Sequence, residues 1–472
     1  MNNTLHVPSI FPVACHTDNV GQHSTFVAIE GAKQNGVEYI PLALQKGART
    51  IVIQETSIVP DTVLAHIAQS NAHLIRVPDT RAALASLSAA AAEYPAHKLS
   101  CIGITGTKGK TTIVYLLEHI LRFSGISVAR ITGVSNSING HEIPANLTTP
   151  QPDYLHQFLK LCVEQNVSHV VMEVAAQALS LHRVDTIAFD RVVFTNIARE
   201  HLEFYQNMDD YFSAKCQIFN HLTSNALCYV NGDDERCASL IDNITLPIAR
   251  YGFNDMHEKS AQDFSLHGYV TITSQNTTYR CPSLIGHYNA SNLLAACIIA
   301  ESYGINPATI QKALATFPTI PGRMEKYSLP NGATCIIDYA HNPSSYEALL
   351  STLRPLTDHL IVLFGASGSR DKGKRPMMGA IAATYADTVI LTSDNPGTAD
   401  IHAIMTDIQA GIAPSHLYKV IKEADRTRAI QRGYELSKPG SLLVLLGKGR
   451  DEYQVIGTTK HYFSERNLIQ QL

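Results

Sequence analysis

The stretch "GITGTKGKTT", Gly103 to Thr112, decides how this chain is read. It begins within the apolar run "SCIGITG" and runs into "TTIVYLLEHILRFSG", whose apolar residues recur with helical spacing. Strand, glycine loop, helix is the context a phosphate-binding loop requires. The spacing is irregular. In the ordinary pattern, Gly-x4-Gly-Lys-Ser/Thr, the first glycine would stand at position 104, which is Ile104; the nearest glycines are Gly103 and Gly106. Glycines let backbone N–H groups turn toward phosphate, and the helix N-terminus adds positive potential. Lys110 can bridge the β- and γ-phosphates, and the Thr111 hydroxyl can reach Mg²⁺. ATP is the expected nucleotide, held by Gly106, Thr107, Lys108, Gly109, Lys110, Thr111 and Thr112. The loop alone does not separate motors, kinases, GTPases and ligases.

Outward from the loop, 472 residues are too many for one hydrophobic core. Residues 1–97 read as a small α/β domain, with strands in "STFVAIEG" and "ARTIVIQE" and helices in "VEYIPLALQKGA" and "DTRAALASLSAAAAEYP". "AHKLS" reads as a linker. Residues 98–324 contain the loop, the strands "HVVMEVA", "RVVFTNIA" and "ALCYVNGDD", and the helix "ASNLLAACIIAESYG". Residues 325–472 supply "ATCIIDYA", "HLIVLFGAS", "TVILTSD" and "SLLVLLGKG", a second set of buried strands with helices between. Strands alternating with helices imply mostly parallel, doubly wound sheets. The expected fold is α/β in three domains: a small N-terminal one, a central P-loop ATPase-like one and a C-terminal Rossmann-like one.

Bulk composition excludes several classes. A net charge of -4 gives no reason to expect a nucleic-acid or anionic-membrane surface. Nine cysteines without a C-x-x-C pair fit reduced thiols. The first residues carry no basic n-region and no sustained apolar stretch, so no signal peptide is expected. No apolar run is long enough to span a membrane. A cytoplasmic location is expected.

The glycine spacing T-G-T-x-G-K-T-T resembles the ATP loop of the Mur ligases, whose superfamily includes folylpolyglutamate and cyanophycin synthetases. Further stretches carry the resemblance in order: "NLTTPQPDYLHQFL", "MEVAAQALSLHRVD", "FTNIAREHLEFYQNMDDYFSAKCQIF", "GHYNASNLLAA", "PGRME", "IIDYAHNPSSYEALL", "GASGSRDKGKRPMMG", "SDNPG" and "GKGRDEYQVIG". They cover nearly all of residues 20–472. R-D-K-G-K-R-P, D-N-P and G-K-G-x-x-x-Y-Q are particular to the MurE branch, which adds the third amino acid to a UDP-MurNAc-dipeptide, and they argue against a folylpolyglutamate-type ligase.

The resemblance implies an amide ligase working through an acyl phosphate, with ADP and phosphate as products, small-molecule substrates and a monomeric chain. It implies Mg²⁺ held by Thr111, Glu173, His201 and Lys215, the last as an N6-carboxylysine. These four and Lys110 make up the implied catalytic set. Without the resemblance, Glu173 reads as a helix cap, His201 as a loop residue and Lys215 as an ordinary lysine on a helix surface. Asn289 and Asn292 match residues near adenine, where an amide offers both donor and acceptor; helix capping is the plainer reading. Arg323 and Asp338 match residues that act on ATP, and His341 lies close by in sequence. Thr148, Thr149 and Arg183 match acceptor contacts. Arg370, Asp394, Asn395, Gly397, Gly447 and Asp451 match the amino-acid site.

Three departures stand out. An Asp-Ser-Arg segment of the family is replaced by His16-Thr17-Asp18, which puts an acid where a diphosphate would lie. Glu-Val-Ser-Ser-His is replaced by Glu173-Val174-Ala175-Ala176-Gln177. The arginine of Asp-Asn-Pro-Arg, which grips meso-diaminopimelate in the family, is Gly397. The expectation is an active ligase with an altered acceptor side, and meso-diaminopimelate is disfavoured as its amino acid. The nearest rival is a MurE-like ligase acting on a non-UDP acceptor. A non-catalytic ATP-binding scaffold is disfavoured, because Lys110, Glu173, His201 and Lys215 are all present.

Overall fold

The computed structural model describes residues 5–31, 34–200, 204–241, 248–261, 263–265 and 269–472. The chain packs as two compact units, Met1–Gln262 with Leu294–Ala313, and Asp263–Leu293 with Leu314–Leu472.

The first unit holds two sheets. One has four parallel strands, Val13–Ala14, Thr25–Val27, Thr50–Gln54 and His73–Val77, in that order. The last was not expected from sequence. Its pattern is mostly exposed, as suits an edge strand, so it lacks the buried run that marks the others. The helix Thr80–Ala91 starts at Asp79, whose carboxylate accepts from the N–H groups of Arg81 and Ala82. It ends before Pro95, where Glu93 and Tyr94 take positive φ. The expected linker is a 3-10 turn, Pro95–Lys98.

The other sheet has nine strands, and Ser100–Thr105 lies at its centre between Phe189–Phe194 and His169–Glu173. All three are parallel, and the interior of the central strand is fully buried. Gly103 belongs to this strand and not to the loop. A Cβ there would stand 2.9 Å from the Phe189 ring, so its lack of a side chain lets the strands on either side of that contact pack. At one edge the sheet turns antiparallel through the hairpin Ser135–Ile138 and His141–Pro144. Asn139 and Gly140 both have positive φ there, the Asn-Gly signature of a tight hairpin turn.

The second unit is built on six strands in the order Glu325–Ser328, Thr334–Asp338, Leu442–Leu446, Leu360–Phe364, Thr388–Leu391, Val420–Lys422. All but the first pair are parallel. Ile361 and Leu363 pack in one apolar cluster, Val362 and Phe364 in another, so both faces of the sheet are covered. A two-stranded hairpin, Tyr453–Ile456 with Thr459–Tyr462, follows the last parallel strand. A three-stranded antiparallel sheet, Asp263–Ser265, Val270–Ser274 and Thr277–Cys281, also belongs to this unit.

Candidate active site

In open α/β sheets ligands bind beyond the carboxyl ends of the strands. At those ends the three central strands of the first unit deliver the glycine loop, Glu173 and the segment Thr195-Asn196. Gly106 has φ +129°, and a Cβ there would overlap the Thr195 hydroxyl. Gly109 has φ +87° and precedes the helix Lys110–Phe123.

The loop is strapped from one side. Thr195 Oγ1 donates to Lys108 O at 2.6 Å, and Asn196 Nδ2 donates to it at 3.1 Å. Asn196 Oδ1 accepts from Lys108 N–H at 2.9 Å, and Asn196 O from Thr107 N–H at 2.9 Å. The sequence reading missed this strap. Its only signal was the Thr-Asn pair at the exit of a buried strand.

Two lysines converge on the loop. Lys110 Nζ donates to Gly106 O and Thr107 O, both at 2.8 Å. Lys215 Nζ donates to the same Gly106 O at 2.8 Å. Lys215 is 1% exposed, so its reading as a helix-surface lysine is corrected. Burial, and next the Lys110 charge, hold its amine well below the ordinary lysine value. Burial also lowers the Lys108 amine, to about 8, with Glu200 opposing.

Glu173 is buried at the end of its strand. Its Oε1 accepts from Thr111 Oγ1 at 2.8 Å and from Gly133 N–H at 3.3 Å. Both donors are neutral. A buried carboxylate so placed is one that a bound cation would balance, which fits Mg²⁺ beside the phosphate loop. His201 lies outside the described residues. Among the described residues no group of three His, Cys, Asp or Glu side chains gathers as a metal cluster.

The expected acceptor residues meet the same strand end. Thr149 Oγ1 donates to Glu173 O at 2.8 Å and accepts from Ala175 N–H at 3.0 Å. Arg183 Nη1 donates to Thr149 O at 2.9 Å. Thr148 places its hydroxyl 2.8 Å from where a Cβ on Gly133 would stand. Ala175 occupies the cap position of the short helix Ala176–Ser180 with no side-chain cap. Asp18 is 78% exposed, with Lys46 Nζ 3.5 Å from its carboxylate. The acid that replaces the family's arginine therefore has a lysine at hand, contributed from a position the sequence reading did not consider.

In the second unit, Asn289 Nδ2 donates to Ile285 O at 2.8 Å, and Asn292 Nδ2 to Asn289 Oδ1 at 3.0 Å. Asp338 is buried, and its carboxylate accepts from the N–H groups of Met324 and Ala340, each at 2.8 Å. Burial raises its pKa, against the Arg323 charge and those two bonds. The Arg323 guanidinium lies 4.9 Å from the Tyr339 ring centre. Burial raises the Tyr339 hydroxyl, and Asp451, Arg370, Arg323 and Asp394 all act on it. Tyr339 is thus the point where expected ATP and amino-acid residues meet within this unit, and sequence spacing did not single it out. His341 stacks edge-on against it, ring centres 5.0 Å apart.

Asp394 and Asn395 share one cation. Lys448 Nζ lies 3.4 Å from Asp394 Oδ1 and 3.2 Å from Asn395 Oδ1. Lys448 is fully buried and was also missed; a lysine two residues after a wholly apolar strand was its signal. Gly397 pairs by backbone with the hairpin, its N–H donating to Val455 O at 2.9 Å and its O accepting from Gly457 N–H at 2.8 Å. Gly447 N–H donates to Asp338 O at 3.1 Å. Burial raises the Asp451 carboxyl above the usual range, against Lys448 and Arg450. Arg370 is exposed.

A strapped glycine loop at the centre of a parallel sheet, with Lys110, a buried Lys215 and a buried carboxylate around it, is the equipment of an enzyme that handles nucleotide phosphates. Comparison with known proteins narrows the class. Residues 13–92 match the model of the Mur ligase family catalytic domain, 104–300 the Mur ligase middle domain, and 322–449 the Mur ligase glutamate ligase domain. The chain is 33% identical to the UDP-N-acetylmuramoyl-L-alanyl-D-glutamate--2,6-diaminopimelate ligase of Geobacter metallireducens, covering 96% of this chain and 92% of that one. It is 36% identical to the protein of the same name from Chlorobaculum tepidum, covering 97% and 91%. A solved structure of a ligase of that name superposes with TM-score 0.65 at 26% identity, over 98% of this chain and 94% of the other. The MurF ligase of Thermotoga maritima in complex with ADP shares the fold, with TM-score 0.65 at 18% identity over 94% of each chain. The chain belongs to the Mur ligase family. It is an ATP-dependent ligase of three-domain α/β architecture. No helix among the described residues is long and apolar enough to cross a membrane.

Proposed function

We propose that the chain joins an amino acid to the free carboxylate of a UDP-N-acetylmuramoyl-L-alanyl-D-glutamate acceptor, in domains bounded at 1–97, 98–324 and 325–472. The observation that carries this reading is Thr149. Its hydroxyl bonds the carbonyl of Glu173, and its own carbonyl holds Arg183, so acceptor residues and phosphate centre are built on one strand end. The acceptor carboxylate attacks the γ-phosphorus and ADP leaves. The amino group then attacks the acyl carbon, phosphate leaves, and an amide forms. Such a step brings several anions together, and cations must offset their repulsion. Lys110 and the loop N–H groups would serve the phosphates.

Held by Thr111, Glu173, His201 and Lys215, Mg²⁺ would supply charge neutralisation at the same point. Lys215 fits that set only as a carbamate, because an ammonium cannot ligate a metal. A low amine pKa favours the neutral form that adds CO₂. Conversion to an anion would also set a negative charge beside Lys110, whose amine shares Gly106 O with it. By the family resemblance, Asn289, Asn292, Arg323 and Asp338 are proposed as further ATP contacts. With ATP and a UDP-sugar as its substrates, the reaction would run in the cytoplasm.

Gly397 leaves no charge for a distal carboxylate, so the reading favours lysine or another amino acid over meso-diaminopimelate. A second reading, a non-UDP acceptor in a specialised pathway, is favoured by Asp18 and Ala175-Ala176. Phosphate release with UDP-MurNAc-L-Ala-D-Glu and a panel of amino acids separates the two. Turnover with at least one member supports the first reading. Silence across the panel, with ATP still bound, sinks it.

A further inference from the structure

Arg426 is the largest fully buried side chain among the described residues. It is the first residue of the helix Arg426–Leu436, whose start is fixed by Asp425 accepting from Thr427 N–H and Arg428 N–H. Its guanidinium is used on three sides. Nη1 donates to Ser393 O at 2.9 Å, and Nη2 to Leu446 O at 2.9 Å. Nε donates to Glu465 Oε1 at 2.8 Å, and Nη2 lies 2.7 Å from the same oxygen.

The two carbonyls sit at special points. Ser393 precedes Asp394-Asn395-Pro396-Gly397, and Leu446 precedes the loop Gly447–Asp451. The strands that lead into these loops, Thr388–Leu391 and Leu442–Leu446, are not neighbours. Leu360–Phe364 runs between them and pairs with both, so no ladder of hydrogen bonds joins their exits directly. One planar guanidinium spans that gap. Its forked donors fix both carbonyls at once, which a lysine's single nitrogen cannot reproduce. Lys448 and Gln454 continue the tie above it. Lys448 reaches Asp394 and Asn395, and Gln454 Nε2 donates to Ser393 Oγ at 3.0 Å and Asp394 O at 3.2 Å.

Stability alone does not account for the pair. Apolar residues of similar volume often replace a buried ion pair with no loss of stability. They would leave the Ser393 and Leu446 carbonyls without their donor. We propose that Arg426, held in place by Glu465, is a positioning residue that sets the separation of the 394–397 and 447–451 loops and so shapes the amino-acid site. This rests on the reading of those loops as the place where the amino acid binds.

The test uses the full chain in two variants, Arg426→Lys and the apolar double replacement Arg426→Met with Glu465→Leu. Steady-state kinetics would use ATP, UDP-MurNAc-L-Ala-D-Glu and the amino acid turned over fastest by the parent. The KM for that amino acid should rise by roughly tenfold or more, with the KM for ATP held within about twofold. Hydrogen exchange should quicken at the amides of 394–397 and 447–451, while Leu360–Phe364 stays protected. The double variant should unfold cooperatively, like the parent, and show the same KM defect. Unchanged loop exchange in a cooperatively folded double variant would overturn the clamp, whatever the kinetics. Faster loop exchange with an unchanged amino-acid KM would overturn the positioning role and the assignment of those loops together. If the parent shows no amino-acid-dependent turnover, the functional reading fails on its own account, and loop exchange still decides the clamp.

Discussion

At Gly397 the backbone has φ +58°, and a Cβ built there meets only Gly457 O, at 3.8 Å. The position is open, so its lack of charge is not imposed by packing. Gly397→Arg should create turnover with meso-diaminopimelate, read as phosphate release. An arginine in left-handed backbone should cost about 1 kcal/mol of stability. An arginine variant inert toward that amino acid would mean the distal carboxylate is not gripped here. Lys215 makes the opposite case, a residue enclosed on every side. Lys215→Ala should lower kcat by roughly 10³-fold or more. Acetate should restore part of it by standing in for the carbamate. Full activity of the variant without acetate would remove the carbamate from the mechanism. The motif drew attention to Lys215, but its burial was invisible, because the helix Met208–Cys216 has almost no apolar stripe to mark an inward face.

The helix Lys110–Phe123 carries a buried acid, Glu118, that its apolar spacing does not announce. Glu118 pairs with Arg130 of the strand Val128–Ile131, and its other oxygen accepts from Ser137 Oγ at 2.6 Å. Arg130 also reaches Glu142 at 2.7 Å and lies 3.8 Å from the Tyr115 ring centre. The pair ties the loop helix to the hairpin edge of the sheet. Glu118→Ala would leave Arg130 buried without its inner partner and should cost about 3–5 kcal/mol. Urea denaturation should show this as a lower midpoint, with Glu118→Gln falling between. Equal midpoints would mean the pair contributes no net stability. The long buried strands and the loop helix were legible, because continuous apolar runs and a 3.6-residue period are local signals. The hairpin Ser135–Ile138 with His141–Pro144 was not read from the sequence: Asn139-Gly140 signals a tight turn, but its polar flanks hid the strands. Nor was the edge strand His73–Val77, because half-exposed strands carry no strong pattern. The Thr195-Asn196 strap and the Arg426 clamp join residues about 90 and 20–40 positions from their partners.

All nine cysteines are free thiols. Burial raises most of them, Cys228 and Cys216 to about 11 and Cys101 to about 12. In the unfolded chain they would ionise near 9. A raised acid contributes stability that is complete below its unfolded value and lost as pH climbs past it. Stability should therefore hold to about pH 9 and then fall, by about 1.4 kcal/mol per pH unit for each proton the unfolded chain gives up first. The lowered amines of Lys108, Lys215, Lys326 and Lys448 act in the opposite direction, and the raised thiols outnumber them. Urea unfolding under reductant at pH 8, 9 and 10 should show the decline; a midpoint that rises throughout would mean the lysines dominate. By itself the sequence determined the α/β class, the glycine loop between strand and helix, the ligase family and the order of the motifs, because each is written in short-range spacing and residue type. Tertiary structure alone decided that Gly103 packs under Phe189 while Gly106 makes the loop. It likewise put Lys215 beside Lys110 on one carbonyl and gave Asp18 a lysine. Such outcomes depend on which distant segments share a strand end, and burial and charge balance are properties of that meeting.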